Sequence, residues 1–224
     1  MKRKQKTLCL LSMILLLCSG CGKTEMAPEQ SVICVTAGEM QGSGVIYERQ
    51  EEYFVLVTAA HVLEQEAEEI VITFYDGYSV EGASYHISTD SDVAFINVPL
   101  ASLPKTNRKE YQPVSIDKEV FDTIQEGTEV AFYGGGYTDR LSQENGLSEV
   151  EEPTGGQVLN NWIYVEDFAQ YMMLLQGQIC PGMSGGGVFD TAGNFLGILC
   201  GANEEEQVVA LPLSIIQAEY AQVY

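Results

Sequence analysis

Short runs of β-branched, aromatic and leucine residues, each bounded by turn-forming residues, most restrict what this chain of 224 residues can fold into. Such runs predict strands. We expect them at residues 32–36, 44–47, 53–58, 70–75, 79–87, 93–98, 129–133, 162–165, 172–175, 187–189, 195–200 and 208–211. Helical spacing is confined to a short turn after His61 and to residues 214–223. Without alternation of strands and helices, a doubly wound parallel sheet is not expected.

The number and length of these runs predict an all-β protein. We expect two six-stranded antiparallel β-barrels followed by a short C-terminal helix. A polar segment with three prolines, residues 99–117, separates the first six runs from the last six and is the expected crossover. No repeat and no second linker divides the chain, so residues 32–224 are predicted to form one domain of two barrels.

The first 20 residues have the pattern of an export signal. Basic residues at positions 2, 3, 4 and 6 precede an apolar stretch at 8–18, which is shorter than the roughly 20 residues that span a bilayer. Ser19-Gly20-Cys21 then resembles a bacterial lipobox, although Cys18 stands where that pattern prefers leucine. We expect a lipid on Cys21, a tether at 21–31 and a location on the outer face of a bacterial cell membrane. Ordinary signal cleavage or an uncleaved anchor is the alternative.

The charge and the cysteines exclude several classes of partner. After the leader, 7 basic and 32 acidic residues remain, a formal net charge of −25, which argues against nucleic acid and anionic headgroups. The spacing of the remaining Cys34, Cys180 and Cys200 matches no zinc site. We expect buried thiols, with a Cys180–Cys200 disulfide as the alternative that export permits. No metal and no cofactor is predicted.

The stretch "CPGMSGGGVF", residues 180–189, sets one serine among glycines. From Gly182 to Gly186 it matches G-x-S-x-G, the nucleophile elbow of α/β-hydrolases. In that fold the histidine follows the serine, whereas His61 and His86 both precede Ser184. The match to the elbow is therefore accidental. A protease-type serine loop and a plain turn remain as interpretations.

Two upstream segments carry candidate partners for Ser184. In "LVTAAHVL" small residues at the end of an apolar strand precede His61, and in "DSDVAFINV" Asp92 directly precedes an uncharged strand and is favoured over Asp90. A serine nucleophile needs a base, and the base needs an acid that fixes its tautomer. The order of His61, Asp92 and Ser184 is that of chymotrypsin-type proteases. His86 is expected to be structural or exposed.

From about residue 31 to residue 224 the chain resembles trypsin-like serine proteases of the bacterial HtrA/DegP type. The resemblance rests on "GSGVIY" before "VTAAHV", "DVAFINV", "VAFYGGGY", "PGMSGGGVFD", and "FLGILCG" before "VVALPLSII". Each segment is weak alone, but together they occur in the order of the family. The resemblance implies the chymotrypsin fold and cleavage of proteins or peptides through an acyl-enzyme. Because it stops at the last helix, no PDZ domain is expected.

The resemblance also implies a role for each matching residue. His61 would be the general base and acid, Asp92 its orienting acid, and Ser184 the nucleophile. The backbone N–H groups of Gly182 and Ser184 would stabilise the oxyanion. The strand implied to pair with substrate backbone consists of Ile198, Leu199, Cys200, Gly201 and Ala202.

Two positions concern specificity and the shape of the serine loop. Gln178, six residues before Ser184, is implied to lie near the wall of the primary pocket. With no acid at that position, we expect a small or medium apolar substrate side chain rather than Arg or Lys. Met183 departs from the family, because animal digestive proteases have an aspartate there that binds a newly cut N-terminus. Activation of that kind is not expected, and what holds the loop in shape is an open question.

Three functions from different classes are compatible with the sequence. The ordered residues favour a serine endopeptidase that cleaves extracytoplasmic proteins or peptides. The alternative is a catalytically silent, protease-like lipoprotein that binds peptides, in which the polar loop 138–154 would cover the cleft. A purely structural lipoprotein would require the residue order to be a coincidence. No partner besides the substrate and the membrane is predicted.

Overall fold

The computed structural model describes residues 27–63, 69–82, 84–134 and 154–224. Its strands are β1 Val32–Ala37, β2 Met40–Arg49, β3 Tyr53–Thr58, β4 Ile70–Phe74, β5 Ser79–Glu81, β6 Ser84–Ile87, β7 Ala94–Pro99, β8 Glu129–Tyr133, β9 Thr154–Val165, β10 Gln170–Gly177, β11 Gly187–Asp190, β12 Phe195–Ala202 and β13 Gln207–Pro212. Its α-helices are α1 Asn107–Glu110, α2 Lys118–Thr123 and α3 Leu213–Val223. The predicted leader and Cys21 lie outside the described ranges. Within those ranges, no helix has the length and apolar character needed to cross a membrane.

The first seven strands form one antiparallel sheet in the order β5-β4-β1-β2-β3-β7-β6. Strand β3 lies near the middle and is apolar on both faces, because every residue from Phe54 to Val57 is fully buried. A strand of this kind needs cover on both sides. Part of the cover comes from the second half of the chain, since one apolar cluster joins β3 to Phe195 and Ile198 of β12.

The remaining six strands close into a barrel in the order β10-β13-β12-β11-β8-β9. Register shifts in β10, β11 and β12 bend the strands, as closure of a small barrel requires. Phe132 of β8 is fully buried and packs against two glycines. A Cβ atom at Gly156 or Gly177 would lie 2.4 or 2.5 Å from its ring. Both positions therefore exclude a side chain, which leaves space for the phenylalanine.

Helix α3 returns to the first sheet after the second barrel is complete. Its residue Ile216 is fully buried. The rings of Tyr220 and Tyr224 pack against Phe95 of β7, with centroids 5.7 and 6.1 Å away. Because Phe95 lies three residues after Asp92, the helix supports the strand that follows this candidate site residue.

The prediction of an all-β chymotrypsin-type fold with a short C-terminal helix is confirmed. The first half differs in detail, since it has seven strands and the described pairings do not join β5 to β6. The expected single strand at 79–87 is divided at Gly82, whose N–H donates to the Ile70 carbonyl at 2.9 Å. This bond continues the register of β5 with β4, whereas the strand that begins at Ser84 pairs with β7.

The connection between the two halves is longer and more helical than predicted. Strand β7 ends at Pro99 and β8 begins at Glu129, so the connection continues past the expected 99–117. Asp117 begins helix α2, because its carboxylate accepts the N–H groups of Glu119 and Val120 at 3.0 and 3.4 Å.

At the other end of the domain, Pro28–Ser31 of the expected tether forms a short 3-10 helix with Ser31 buried.

The packing of α3 gives a stability prediction. Ile216→Ala removes a fully buried side chain at the junction of the helix and the first sheet and should lower the free energy of unfolding by about 2–5 kcal/mol. Gln222→Ala changes an exposed residue of the same helix and should alter it by less than about 0.5 kcal/mol. Urea denaturation of both variants checks this. Equal midpoints would mean that α3 does not contribute to the cooperative core.

Candidate active site

His61 lies where β3 ends and a short 3-10 turn, Ala60–Val62, begins. Ala59 and Ala60 are buried, and their small side chains allow the corner to pack closely. Thr58 fixes the strand end, since its Oγ1 donates to the Ser43 carbonyl at 2.6 Å. The histidine itself remains 31% exposed in its side chain, so the ring reaches the surface of the cleft.

Asp92 accepts hydrogen bonds from both the ring and the backbone of His61. The Asp92 carboxylate lies 2.9 and 3.1 Å from His61 Nδ1 and accepts the His61 backbone N–H at 3.0 Å. An ionised carboxylate can only accept, so Nδ1 must carry the proton of this bond. When the ring is neutral, Nε2 is then the basic nitrogen. The pair predicted from sequence is thus brought together with the geometry of a base and its orienting acid.

The Asp92 carboxylate remains ionised despite its burial. Burial raises its pKa, but the hydrogen bonds and charge of His61, with a hydrogen bond from Cys200, outweigh this effect, and the pKa lies below its usual value. Burial raises the pKa of the Cys200 thiol well above its usual range, and the Asp92 charge adds to the rise. Cys200 therefore stays protonated, and its one thiol proton has two acceptors within reach, the Asp92 carboxylate and the Ile198 carbonyl, the latter 3.7 Å from Sγ. No disulfide joins the described cysteines, Cys200 included.

The loop that carries Asp92 is held by Glu219 of helix α3. The Glu219 carboxylate accepts the hydroxyl of Ser88 at 2.8 Å and that of Ser91 at 3.0 Å. Ser88 Oγ in turn accepts the backbone N–H groups of Asp90 and Ser91, both at 3.1 Å. The sequence pattern does not predict these contacts. Their one sequence signal is that Glu219 is a carboxylate within the apolar stripe of the last helix.

The serine loop, residues 180–186, lies against β2 of the first sheet. The buried Ser43 makes two contacts to it: its N–H donates to the Ser184 carbonyl at 2.7 Å, and its hydroxyl donates to the Gly182 carbonyl at 2.5 Å. Gly185 then packs against the end of β3, where a Cβ would lie 2.2 Å from the Ser43 carbonyl and 2.9 Å from the Ala59 nitrogen. Ser184 is therefore placed beside the strand end that carries His61.

Met183 holds the serine loop from the inside. Its side chain is fully buried in the apolar cluster of the second barrel. Its backbone N–H donates to the Cys180 carbonyl at 3.1 Å, and its sulfur accepts the Cys180 N–H at 3.4 Å. The Met183 carbonyl also accepts the Gly186 N–H at 2.8 Å. The residue that departs from the family pattern is thus an apolar anchor for the loop.

Two amide groups of the serine loop donate no hydrogen bond to the described part of the protein. Met183, Gly185 and Gly186 use their N–H groups within the protein. Over the described residues, the N–H groups of Gly182 and Ser184 donate to no protein acceptor. Gly182 has a φ of 95°, a conformation that glycine adopts at little cost. These two donors alternate along the loop, as a site for a developing oxyanion requires.

The strand implied to bind substrate has an open edge only in its last part. Ile198 pairs with Gly187 of β11, and Leu199 exchanges hydrogen bonds with Gly185 and Gly186. Both residues are fully buried. Beyond them, Cys200, Gly201 and Ala202 are bordered by β13 on one side only, within the described pairings. The open edge is therefore limited to residues 200–202.

The remaining predicted residues lie apart from the His61–Asp92 pair. Gln178 is exposed, and its amide donates to the carboxylate of Glu206 in the turn between β12 and β13. An acid thus contacts position 178, although the sequence places none there. His86 is exposed on β6 opposite Phe95. Among the described residues, no group of three or more His, Cys, Asp and Glu side chains could hold a metal ion.

Two packed β-units with a histidine–carboxylate pair facing a glycine-rich serine loop define a peptidase of the chymotrypsin fold. The sequence profile of the trypsin-like peptidase domain matches residues 42–198, and the chain belongs to this family. No curated protein matches the sequence.

Solved structures show the same fold at low sequence identity. The Rv3671c protease of M. tuberculosis, as an inactive Ser343Ala mutant, superposes with a TM-score of 0.64 at 17% identity over 87% of each chain. The active form of the Rv3671c protease superposes with a TM-score of 0.65 at 17% identity, covering 87% of this chain and 81% of that one. The HtrA-type protease AlgW with a tripeptide gives 0.68 at 18% identity over 87% of this chain, which spans 60% of AlgW.

Two glycines of the serine loop give a matched prediction. Gly185→Ala introduces a Cβ 2.2 Å from the Ser43 carbonyl, whereas one at Gly182 meets nothing within 4 Å. Both positions have positive φ, which costs alanine about 1–2 kcal/mol. Gly185→Ala should therefore destabilise the protein clearly more than Gly182→Ala in thermal unfolding. Equal melting temperatures would show that the serine loop does not depend on close contact with β2.

The lowered pKa of Asp92 predicts a dependence of stability on pH. Ionised Asp92 stabilises the fold above its unfolded-state pKa of about 4, and this contribution is lost as the pH falls through the lower folded-state pKa. The difference in unfolding free energy between the wild type and Asp92→Asn should thus narrow as the pH falls below about 4. Urea titrations between pH 5 and pH 2 measure it. A difference that widens on acidification contradicts the assignment.

Proposed function

We propose that this protein is a serine endopeptidase that cleaves extracytoplasmic proteins or peptides through an acyl-enzyme. The observation that carries the proposal is that Asp92 accepts hydrogen bonds from both the ring and the backbone of His61. The serine loop is bonded to Ser43 of the same sheet. In this proposal His61 is the general base and acid, Asp92 orients it, and Ser184 is the nucleophile.

In the first step the Ser184 hydroxyl attacks the carbonyl carbon of the peptide bond. A bond forms between Oγ and carbon while the hydroxyl proton moves to Nε2 of His61. Asp92 accepts the Nδ1–H throughout and stabilises the imidazolium, since its lowered pKa keeps it ionised. It does not take the proton itself.

The negative charge then develops on the former carbonyl oxygen. The N–H groups of Gly182 and Ser184 are the proposed donors, and each such donor contributes on the order of 3 kcal/mol to the transition state. Because Ser43 and Met183 hold the loop from opposite sides, the two donors need little reorganisation during the reaction.

The tetrahedral intermediate collapses when the carbon–nitrogen bond breaks. Nε2 of His61 gives its proton to the leaving amine, and the substrate acyl group remains bound to Ser184. Water then attacks the ester, with its proton passing to Nε2, and a second collapse returns the proton to Ser184. Substrate backbone would be held as an added strand along Cys200, Gly201 and Ala202.

The place of action belongs to the same proposal. The export signal and the lipobox-like sequence at Cys21 support a protein attached by a lipid to the outer face of a bacterial cell membrane. The substrates would then be proteins or peptides outside the cytoplasm. The acidic surface would favour partners other than nucleic acid.

Labelling with a fluorophosphonate probe tests the nucleophile. Wild type should be labelled at Ser184, whereas Ser184→Ala should not react. Asp92→Asn should react more slowly by several orders of magnitude, on the order of 10⁴-fold, because His61 loses the acceptor that fixes its tautomer. The labelling rate should rise between about pH 6 and 8 as histidine loses its proton. Labelling of Ser184→Ala equal to wild type would refute the proposal and favour a silent peptide-binding protein.

A further inference from the structure

A cavity of about 520 Å³ opens beside the C-terminal end of β12. Its half-buried lining includes four large apolar side chains, Val165, Phe168, Leu174 and Val209, together with Ile163, Gly201 and the polar Gln207. The exposed residues Glu166 and Asp167 add two carboxylates at its edge. The lining thus combines apolar side chains with two carboxylates.

The cavity begins one residue beyond the candidate active site. Cys200, which bonds Asp92, is followed by Gly201, which lines the cavity. A Cβ at Gly201 would lie 3.8 Å from the Phe168 ring, an ordinary contact distance between β12 and the turn at Glu166–Phe168. An extended peptide added to the open edge of β12 would pass this cavity on its way to Ser184.

The turn that carries the two carboxylates has a fixed shape. Ala169 closes it with a φ of 51°, in the left-handed region that residues other than glycine rarely adopt. The Ala169 N–H donates to the Glu166 carbonyl at 3.0 Å. Glu166, Asp167 and Phe168 lie together in this turn and line the cavity with Gly201 and Ala202 of β12.

The charge around the cavity has one sign. No lysine or arginine lines the cavity among the described residues. In the sequence from 119 to 224 there are 16 acidic residues and a single basic one, Arg140. A cation entering the cavity would find no competing cation on its walls, and a carboxylate would meet repulsion.

We infer that this cavity is a specificity subsite for a lysine or arginine side chain of the substrate. The alkyl stem would pack on Val165, Phe168 and Val209, while the charged end reaches Glu166 and Asp167. Because the added strand would run along residues 200–202 before it reaches Ser184, the residue lies about two to four positions before the cleaved bond, and alternation brings only one face of the peptide to the cavity. The inference rests on the proposed function, because it names the substrate class of that same site.

Peptide cleavage with matched substrates tests the subsite. One series of fluorogenic peptides varies the second residue before the cleaved bond, another the third, and another the fourth. Within a series the peptides carry arginine, norleucine or glutamate at that position and are otherwise identical. We expect kcat/KM for arginine to exceed that for glutamate at least tenfold at one position, and the ratio to fall in high salt. The kcat/KM for norleucine should lie between these two values, because norleucine keeps the apolar stem and lacks the charge.

A double variant that removes both carboxylates, Glu166→Gln with Asp167→Asn, should abolish the preference for arginine over norleucine. It should not slow the cleavage of the norleucine peptide. The matched control is Asp122→Asn with Glu126→Gln, which removes the same charge from exposed positions of the second half that do not line the cavity. The control should keep the preference. If both double variants lose it equally, net charge rather than the cavity selects the substrate, and the inference fails.

Binding to Ser184→Ala separates this inference from the proposed function. Fluorescence anisotropy should show at least tenfold tighter binding of the arginine peptide than of the glutamate peptide, whether or not wild type cleaves either. Fluorophosphonate labelling of the Glu166/Asp167 variant should equal that of wild type. Absence of labelling with the binding preference intact refutes the peptidase only. Active enzyme without an arginine preference at any of the three positions refutes the subsite only.

Discussion

Two hydrogen bonds from Ser43 attach the serine loop of the second barrel to the first sheet. The candidate nucleophile and base lie on different halves of the molecule, so their relation depends on this junction. Gly185 makes the contact possible, because a side chain there would overlap the Ser43 carbonyl and the Thr58 hydroxyl. Met183 fixes the loop from the barrel side. The loop is thus held between two rigid cores, which is the preorganisation that an oxyanion site needs.

The acid of the site depends on a second junction. Burial disfavours the charge on Asp92, and the structure compensates with donors from three places: the His61 ring, the His61 backbone and the Cys200 thiol. Glu219 reaches the same loop from the C-terminal helix, more than 120 residues along the chain. Folding of the last helix and formation of the acid–base pair are therefore linked, although no contact joins Glu219 to His61 in the described bonds.

The sequence predicted the features that local pattern and chain order determine. His61, Asp92 and Ser184 became candidates because small residues, an apolar strand and glycines surround them, and their order excluded the hydrolase elbow. Strand β9 was predicted over 4 of its 12 residues, since glycines and exposed polar side chains before Trp162 hide its alternation. The roles of Ser43 and Glu219 were missed because their partners lie over 120 residues away.

In the proposed peptidase, charge would act on substrate choice at two ranges. The formal net charge, −21 for the full chain and −25 without the expected leader, would attract any cationic peptide, but at physiological ionic strength such attraction is screened within about 8 Å. It raises the rate of encounter without choosing a position in the peptide. In the proposed subsite, Glu166 and Asp167 would act at contact distance beside apolar side chains, where the stem of the bound residue excludes water and weakens screening. Only this short-range attraction would depend on register, because pairing along the open edge at residues 200–202 would decide which substrate side chain reaches the cavity.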